Sequence, residues 1–166
     1  MRKVPQKSIA VYGVAVALSL VLSYIESILP VDLVLPGAKI GLPNIVSIFL
    51  LYTAGAGGCA LVAVLRIVLS GFMFGNMFSI IYSLSGFLLS FVSMLMMKRS
   101  GRFGVTGVSI AGGVMHNVGQ LICASFIAGP YVMTYLPALA AAGTAAGLLI
   151  GLAGAEMIRR VGRYMK

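Results

Sequence analysis

The apolar residues of this chain come in runs long enough to cross a lipid bilayer, and the short interruptions between them carry nearly all of the charge. A helix rises about 1.5 Å per residue, so about 20 apolar residues cross a hydrocarbon core roughly 30 Å thick. The 166 residues have room for six such helices and little else. Their spacing predicts helices over about 8–29, 42–55, 58–74, 77–97, 105–128 and 132–158. Together they form one all-α integral membrane domain over 1–166, a six-transmembrane-helix bundle with a lid-like segment at 30–41. The second helix is the shortest, and the Gly55-Ala56-Gly57-Gly58 run reads either as a loop or as a bend in one longer broken segment.

Composition agrees with a lipid solvent. Hydrophobic residues make up 60% and charged residues 9% of the chain, against roughly 45–50% and about 25% in a soluble domain. The formal charge of +9 would suggest nucleic acid in a soluble protein, but the placement of the charge argues against that partner. Arg2, Lys3 and Lys7 precede the first apolar run, Lys98, Arg99 and Arg102 fill one interruption, and Arg159, Arg160, Arg163 and Lys166 follow the last run. Basic clusters of this kind mark cytoplasmic loops, so both termini are expected in the cytoplasm. The first run lacks a convincing small-residue cleavage site and reads as a retained helix. Cys59 and Cys123 lie inside apolar stretches and read as packing residues, with no metal site expected.

Lys39 and Arg66 are the two basic residues outside these clusters. Lys39 sits in the stretch 30–44, which is too apolar for a solvated loop and too rich in Pro and Gly for a helix. Such backbone survives at membrane depth only where protein or an aqueous cavity satisfies it, so the stretch reads either as a lid over an outward-facing pocket or as a surface connection. Arg66 falls in the middle of the third helix, where a cation costs at least about 2.5 kcal/mol without an interior partner. Its partner is either Glu26, as a structural ion pair, or an acidic group of a ligand. His116, Asn117 and Gln120 place three polar side chains within five residues of the fifth helix, with His116 and Gln120 on one stripe below Gly112. With Asn44 they are candidate pocket residues. Small residues at four-residue spacing, Gly13 and Ala17 on the first helix and Gly143, Gly147 and Gly151 on the last, permit close helix approach, within the bundle or to another subunit.

Some chemistries are excluded. The chain has no phosphate-binding loop of the GxxxxGK[ST] kind, so nucleotide hydrolysis by that route is out. Its acidic residues are Glu26, Asp32 and Glu156 alone, too few for the carboxylate clusters that hold Mg²⁺ on a diphosphate. No Ser-His-acid set is apparent, and the chain is not expected to be an enzyme or to hold a cofactor.

The blocks Gly37-Ala38-Lys39-Ile40-Gly41-Leu42-Pro43-Asn44, Leu65-Arg66, Ser85-Gly86, His116-Asn117-Val118-Gly119-Gln120 and Tyr135-Leu136-Pro137 resemble the bacterial Gx transporter family over nearly the whole chain. That family is also catalogued as heptaprenyl diphosphate synthase component I. It looks like a relative of the substrate-binding S-components of energy-coupling factor (ECF) importers. The resemblance implies a multi-pass protein of the bacterial plasma membrane that binds a vitamin-like ligand at its outer side, beneath a loop between helices 1 and 2. It also implies docking to a transmembrane T-subunit, driven by separate ATPase subunits, through small residues on helix 1. Gly13 and Ala17 match that pattern, with Gly in place of the usual first Ala.

The expected role is therefore binding of a small, anionic, vitamin-like or quinone- or isoprenoid-precursor molecule, with Lys39 and Arg66 neutralising it and Asn44, His116, Asn117 and Gln120 orienting it. One rival is a secondary transporter in which His116 and Glu26 carry coupling protons. Another is a non-catalytic membrane partner of a prenyl or quinone biosynthetic enzyme, which the catalogued name suggests.

Overall fold

The computed structural model describes residues 6–29 and 40–164. Six α-helices account for most of them: α1 (Gln6–Ile28), α2 (Asn44–Thr53), α3 (Gly55–Phe74), α4 (Met77–Ser100), α5 (Val105–Ala128) and α6 (Leu136–Val161). A short 3-10 segment, Pro130–Tyr135, leads into α6, and no strand occurs among the described residues. Five of the helices, α1 and α3 to α6, are long and apolar enough to cross a membrane. The molecule is the all-helical membrane bundle that the apolar runs predict, with one member cut short.

The short member is α2. Pro43 has no N–H to donate and precedes its first residue, and Gly55 at φ +82° turns the chain just after its last. Its ten residues rise about 15 Å, half of the hydrocarbon core. Val46, Ile48, Phe49, Leu50 and Leu51 are all buried, so it is apolar all round, as a helix enclosed by others must be. The α2–α3 connection is a tight hairpin and not a bend in one segment: the Cys59 thiol on α3 donates to the Ser47 carbonyl on α2 at 3.2 Å.

One end of the bundle gathers the start of α1 and α3 and the end of α2, α4 and α6. Gly58 lies against Tyr12, Gly162 against Thr53, and Lys98 donates to the Leu51 carbonyl. Among the described residues, Lys98, Arg99, Arg102, Arg159, Arg160 and Arg163 lie at this end. The other end carries the Tyr24–Phe74 ring pair, the Asn76 cap of α4 and the Pro130–Tyr135 segment.

Glycine sets the closest approaches. A Cβ on Gly147 would lie 2.7 Å from the Ile110 Cα, one on Gly151 2.7 Å from the Thr106 Cα, and one on Gly143 2.8 Å from the Gly113 carbonyl oxygen. The Gly143-Gly147-Gly151 ridge is thus spent on α5, inside the bundle. Between α4 and α5 the same device pairs Gly86 with Gly119. Such contact lets helices associate in lipid without a hydrophobic driving force. α1 differs: Ala15, Ser19 and Ser23 face inward, whereas Gly13 and Ala17 are exposed and a Cβ on Gly13 would touch nothing within 4 Å.

Gly147→Val should lower the unfolding midpoint in detergent, by at least the roughly 1–3 kcal/mol of an overpacked site, because the atoms in its way are backbone. Gly57→Ala, on an exposed helical position with open space, should leave stability unchanged or raise it by up to about 1 kcal/mol. Thermal unfolding followed by circular dichroism distinguishes the two, and equal effects would mean that the α5–α6 seam is not close-packed.

Candidate functional site

Half a helix at α2 leaves space above it. Four helices aim polar side chains into that space by i, i+3 and i, i+4 spacing: Ser23, Glu26 and Ser27 from α1, Arg66 and Ser70 from α3, Ser79 and Ser83 from α4, and His116 from α5. Pro43 and Asn44, where α2 begins, form its floor. The resulting cavity, of about 220 Å³, lies beside Leu29 and Gly75 at the end away from the basic clusters.

Two opposite charges face this cavity. The Glu26 carboxylate accepts a hydrogen bond from the Gly41 N–H, just ahead of α2. Arg66 interacts electrostatically with Glu26, but no hydrogen bond or salt bridge joins the two among the described residues. Arg66 as a whole is half-buried and lines the cavity wall. Ser23 is only 8% exposed, and its hydroxyl has no hydrogen-bond partner among the described residues. Ser70 and Ser79 donate to carbonyls of their own helices, Ile67 at 3.2 Å and Asn76 at 2.7 Å. The cavity therefore presents a cation within a membrane-spanning helix and a buried hydroxyl that has no partner among the described residues.

A second, smaller pocket lies between α2, α4, α5 and α6. Ile48, Met94 and Ile150 share its wall with Ser47, Ser90, Ser109 and Asn117, and no Asp, Glu, Lys or Arg lines it among the described residues. Asn44 and His116 line both cavities.

The candidate residues thus part company. Asn44, Arg66, His116 and Glu26 meet at the polar cavity. Asn117 lines the smaller one, where its amide donates to the Leu139 carbonyl at 2.6 Å and ties α5 to α6. Gln120 is 1% exposed, lines neither cavity, and lies where α5 meets Gly86 of α4, with no hydrogen-bond partner among the described residues. Lys39 and positions 30–39 of the lid-like segment lie outside the described residues. The serines were not singled out from the sequence. The signal was there in Ser23, Glu26 and Ser27, which repeat at three and four residues on one face of α1.

These features define a polytopic membrane protein with a polar internal cavity open at one end of the helical bundle. The chain belongs to the family described as heptaprenyl diphosphate synthase component I, whose model matches residues 15–157. No curated protein and no solved structure matches it.

Glu26→Leu should destabilise the protein by about 1–3 kcal/mol, because the Gly41 N–H is left without its acceptor in the bundle interior. Glu26→Gln keeps a carbonyl there and should cost clearly less. Melting temperatures of the two variants check this, and a Gln variant as unstable as the Leu variant would show that Glu26 acts through its charge alone.

Proposed function

We propose that the protein is the ligand-binding membrane subunit, S-component-like, of an ECF-type importer for a small acidic molecule. The observation that carries this reading is the cavity whose lining includes both Arg66 and the Ser23 hydroxyl, which has no partner among the described residues. A cation at membrane depth is costly unless something interior answers it. Glu26 already serves the Gly41 N–H, and a ligand's acid group is the natural second counter-charge. The cavity mouth lies at the end opposite the basic clusters. With those clusters on the cytoplasmic side of a bacterial plasma membrane, as the positive-inside rule has it, the mouth faces outward.

On this reading the chain is not itself an enzyme. Glu26 is at the cavity and Glu156 at the other end of the bundle, bound to Arg159 and Arg160, so these two carboxylates cannot share a Mg²⁺ ion. Energy comes from separate ATPase subunits through a T-subunit, docked on the exposed Gly13–Ala17 face of α1. A second reading is supported by the family's description, which names one component of a prenyl diphosphate synthase. The chain would then be the membrane partner of a catalytic subunit, holding an acidic intermediate in the same cavity.

Arg66→Met should weaken ligand binding by roughly 30-fold to several thousand-fold, the equivalent of about 2–5 kcal/mol for an acid left unpaired. Native mass spectrometry of the purified protein identifies the retained ligand, and titration of that ligand into each variant in detergent gives the affinities. Gly13→Leu with Ala17→Leu should abolish uptake and leave binding intact. A folded Arg66→Met protein with native affinity would remove the acidic ligand, and co-purification with a synthase subunit instead of ATPases would favour the second reading.

A further inference from the structure

The polar cavity is electrically balanced. Among the described residues, the Asp, Glu, Lys and Arg side chains that line it are Arg66 and Glu26, one of each sign. Between Lys7 and Lys98 the sequence adds Asp32 and Lys39, again one of each. With His116 neutral, nothing in this part of the chain answers more than a single negative charge without a positive one beside it. An ion taken out of water without a counter-charge is costly. A diphosphate, with several negative charges, would leave most of them unanswered here and would also meet Glu26.

The hydroxyls of the cavity point to the same kind of ligand. A serine has one proton to donate and two lone pairs with which to accept. Ser27, Ser70 and Ser79 give that proton to carbonyls of their own helices, Tyr24 at 2.7 Å, Ile67 at 3.2 Å and Asn76 at 2.7 Å. Ser79 also accepts from the Asn76 N–H at 3.0 Å, which leaves it one lone pair. These three therefore line the cavity as acceptors, and acceptors suit N–H donors. Arg66 can only donate, and the Ser23 hydroxyl, with no partner among the described residues, still has its proton to give. The volume of about 220 Å³ is below the roughly 300–1,000 Å³ of pockets that take drug-sized ligands.

We propose that the ligand is a zwitterion of amino-acid size. Its acid group sits with Arg66 and Ser23, and its ammonium with the Glu26 charge and the oxygens of Ser27, Ser70 and Ser79. This rests on the reading of the polar cavity as a ligand site, and adds a second, positive charge to the ligand, which neither an isoprenoid diphosphate nor a plain carboxylate has.

The test is ligand-induced stabilisation of the purified protein in detergent, followed by calorimetric titration of each compound that stabilises it. The probes are the protein α-amino acids, β-alanine and 4-aminobutyrate, the hydroxy acid and the deaminated acid corresponding to each, and methyl and pentyl diphosphate. At least one amino compound should bind, its hydroxy acid more weakly, and its deaminated acid more weakly still. Glu26→Gln, which keeps a carbonyl for the Gly41 N–H, should weaken the amino compound roughly 30-fold or more, the loss expected for one partner of a buried charge pair. The same variant should leave the deaminated acid no weaker. Arg66→Met should weaken both alike. The wild-type comparison decides the matter should Glu26→Gln fail to fold. Hydroxy or deaminated acids that bind as tightly as their amino counterparts, or binding of the diphosphates alone, would overturn the zwitterion and leave the cavity as an acid site. Stabilisation by none of these compounds would overturn both.

Discussion

The fold depends on how an interrupted backbone is satisfied inside a membrane. Hydrocarbon offers no hydrogen bonds, so every exposed N–H or C=O must find a partner in the protein. α2 breaks the regular pattern of spans by starting in the interior: Gly41, just ahead of it, lies against Ile150, midway along α6. At that point Glu26 takes the Gly41 N–H, and the turn carbonyls of Gly41, Leu42 and Pro43 take the N–H groups of Asn44, Ile45 and Val46. At the other end Lys98 donates to the Leu51 carbonyl while stacking 4.7 Å over the Tyr52 ring. An anion thus sits near the N-terminus of the half-helix and a cation near its C-terminus, the signs its dipole favours.

That arrangement creates the site. A full-length second helix would fill the space in which Arg66, Glu26 and His116 face one another. Stopping it halfway leaves the space open, and the same Glu26 that satisfies the broken backbone is then a wall of the cavity and the charge that Arg66 feels. Structural support and candidate ligand chemistry share a residue, so a substitution at Glu26 reports on both.

The spans were legible in the sequence because each is a run of apolar residues and the charges cluster between runs, signals that hold whatever the helices pack against. The depth of α2 was not, because a largely apolar stretch this short reads either as a helix of its own or as part of one longer segment bent at Gly55–Gly58. Arg66 stood out as a charge inside a span, and that signal also led to the cavity. The serines did not stand out, since a serine inside a membrane helix usually bonds back to its own carbonyls, as Ser70 and Ser85 do here. Gln120 illustrates the reverse problem. It does share a face with His116, and both meet Gly86, but α4 closes on α5 at that level and the cavity ends one turn short of the amide. Periodicity gives the face of a helix, while the neighbour's small residues decide how far along that face space remains.

α1 connects the interior to the outside. It packs chiefly on α3, and its inward stripe of Ala15, Ser19 and Ser23 is made of small residues. Tyr12 against Gly58 and the Tyr24–Phe74 ring pair flank that stripe, whereas Val14 and Val21 project outward. The same helix carries Ser23 and Glu26 into the cavity and presents Gly13 and Ala17 on its outer face. A partner that gripped the outer face and shifted α1 would move the acceptor of the Gly41 N–H and the nearest charge to Arg66 together. Both groups belong to the floor and wall of one cavity, so α1 is the element through which its outer face and the interior charges are joined.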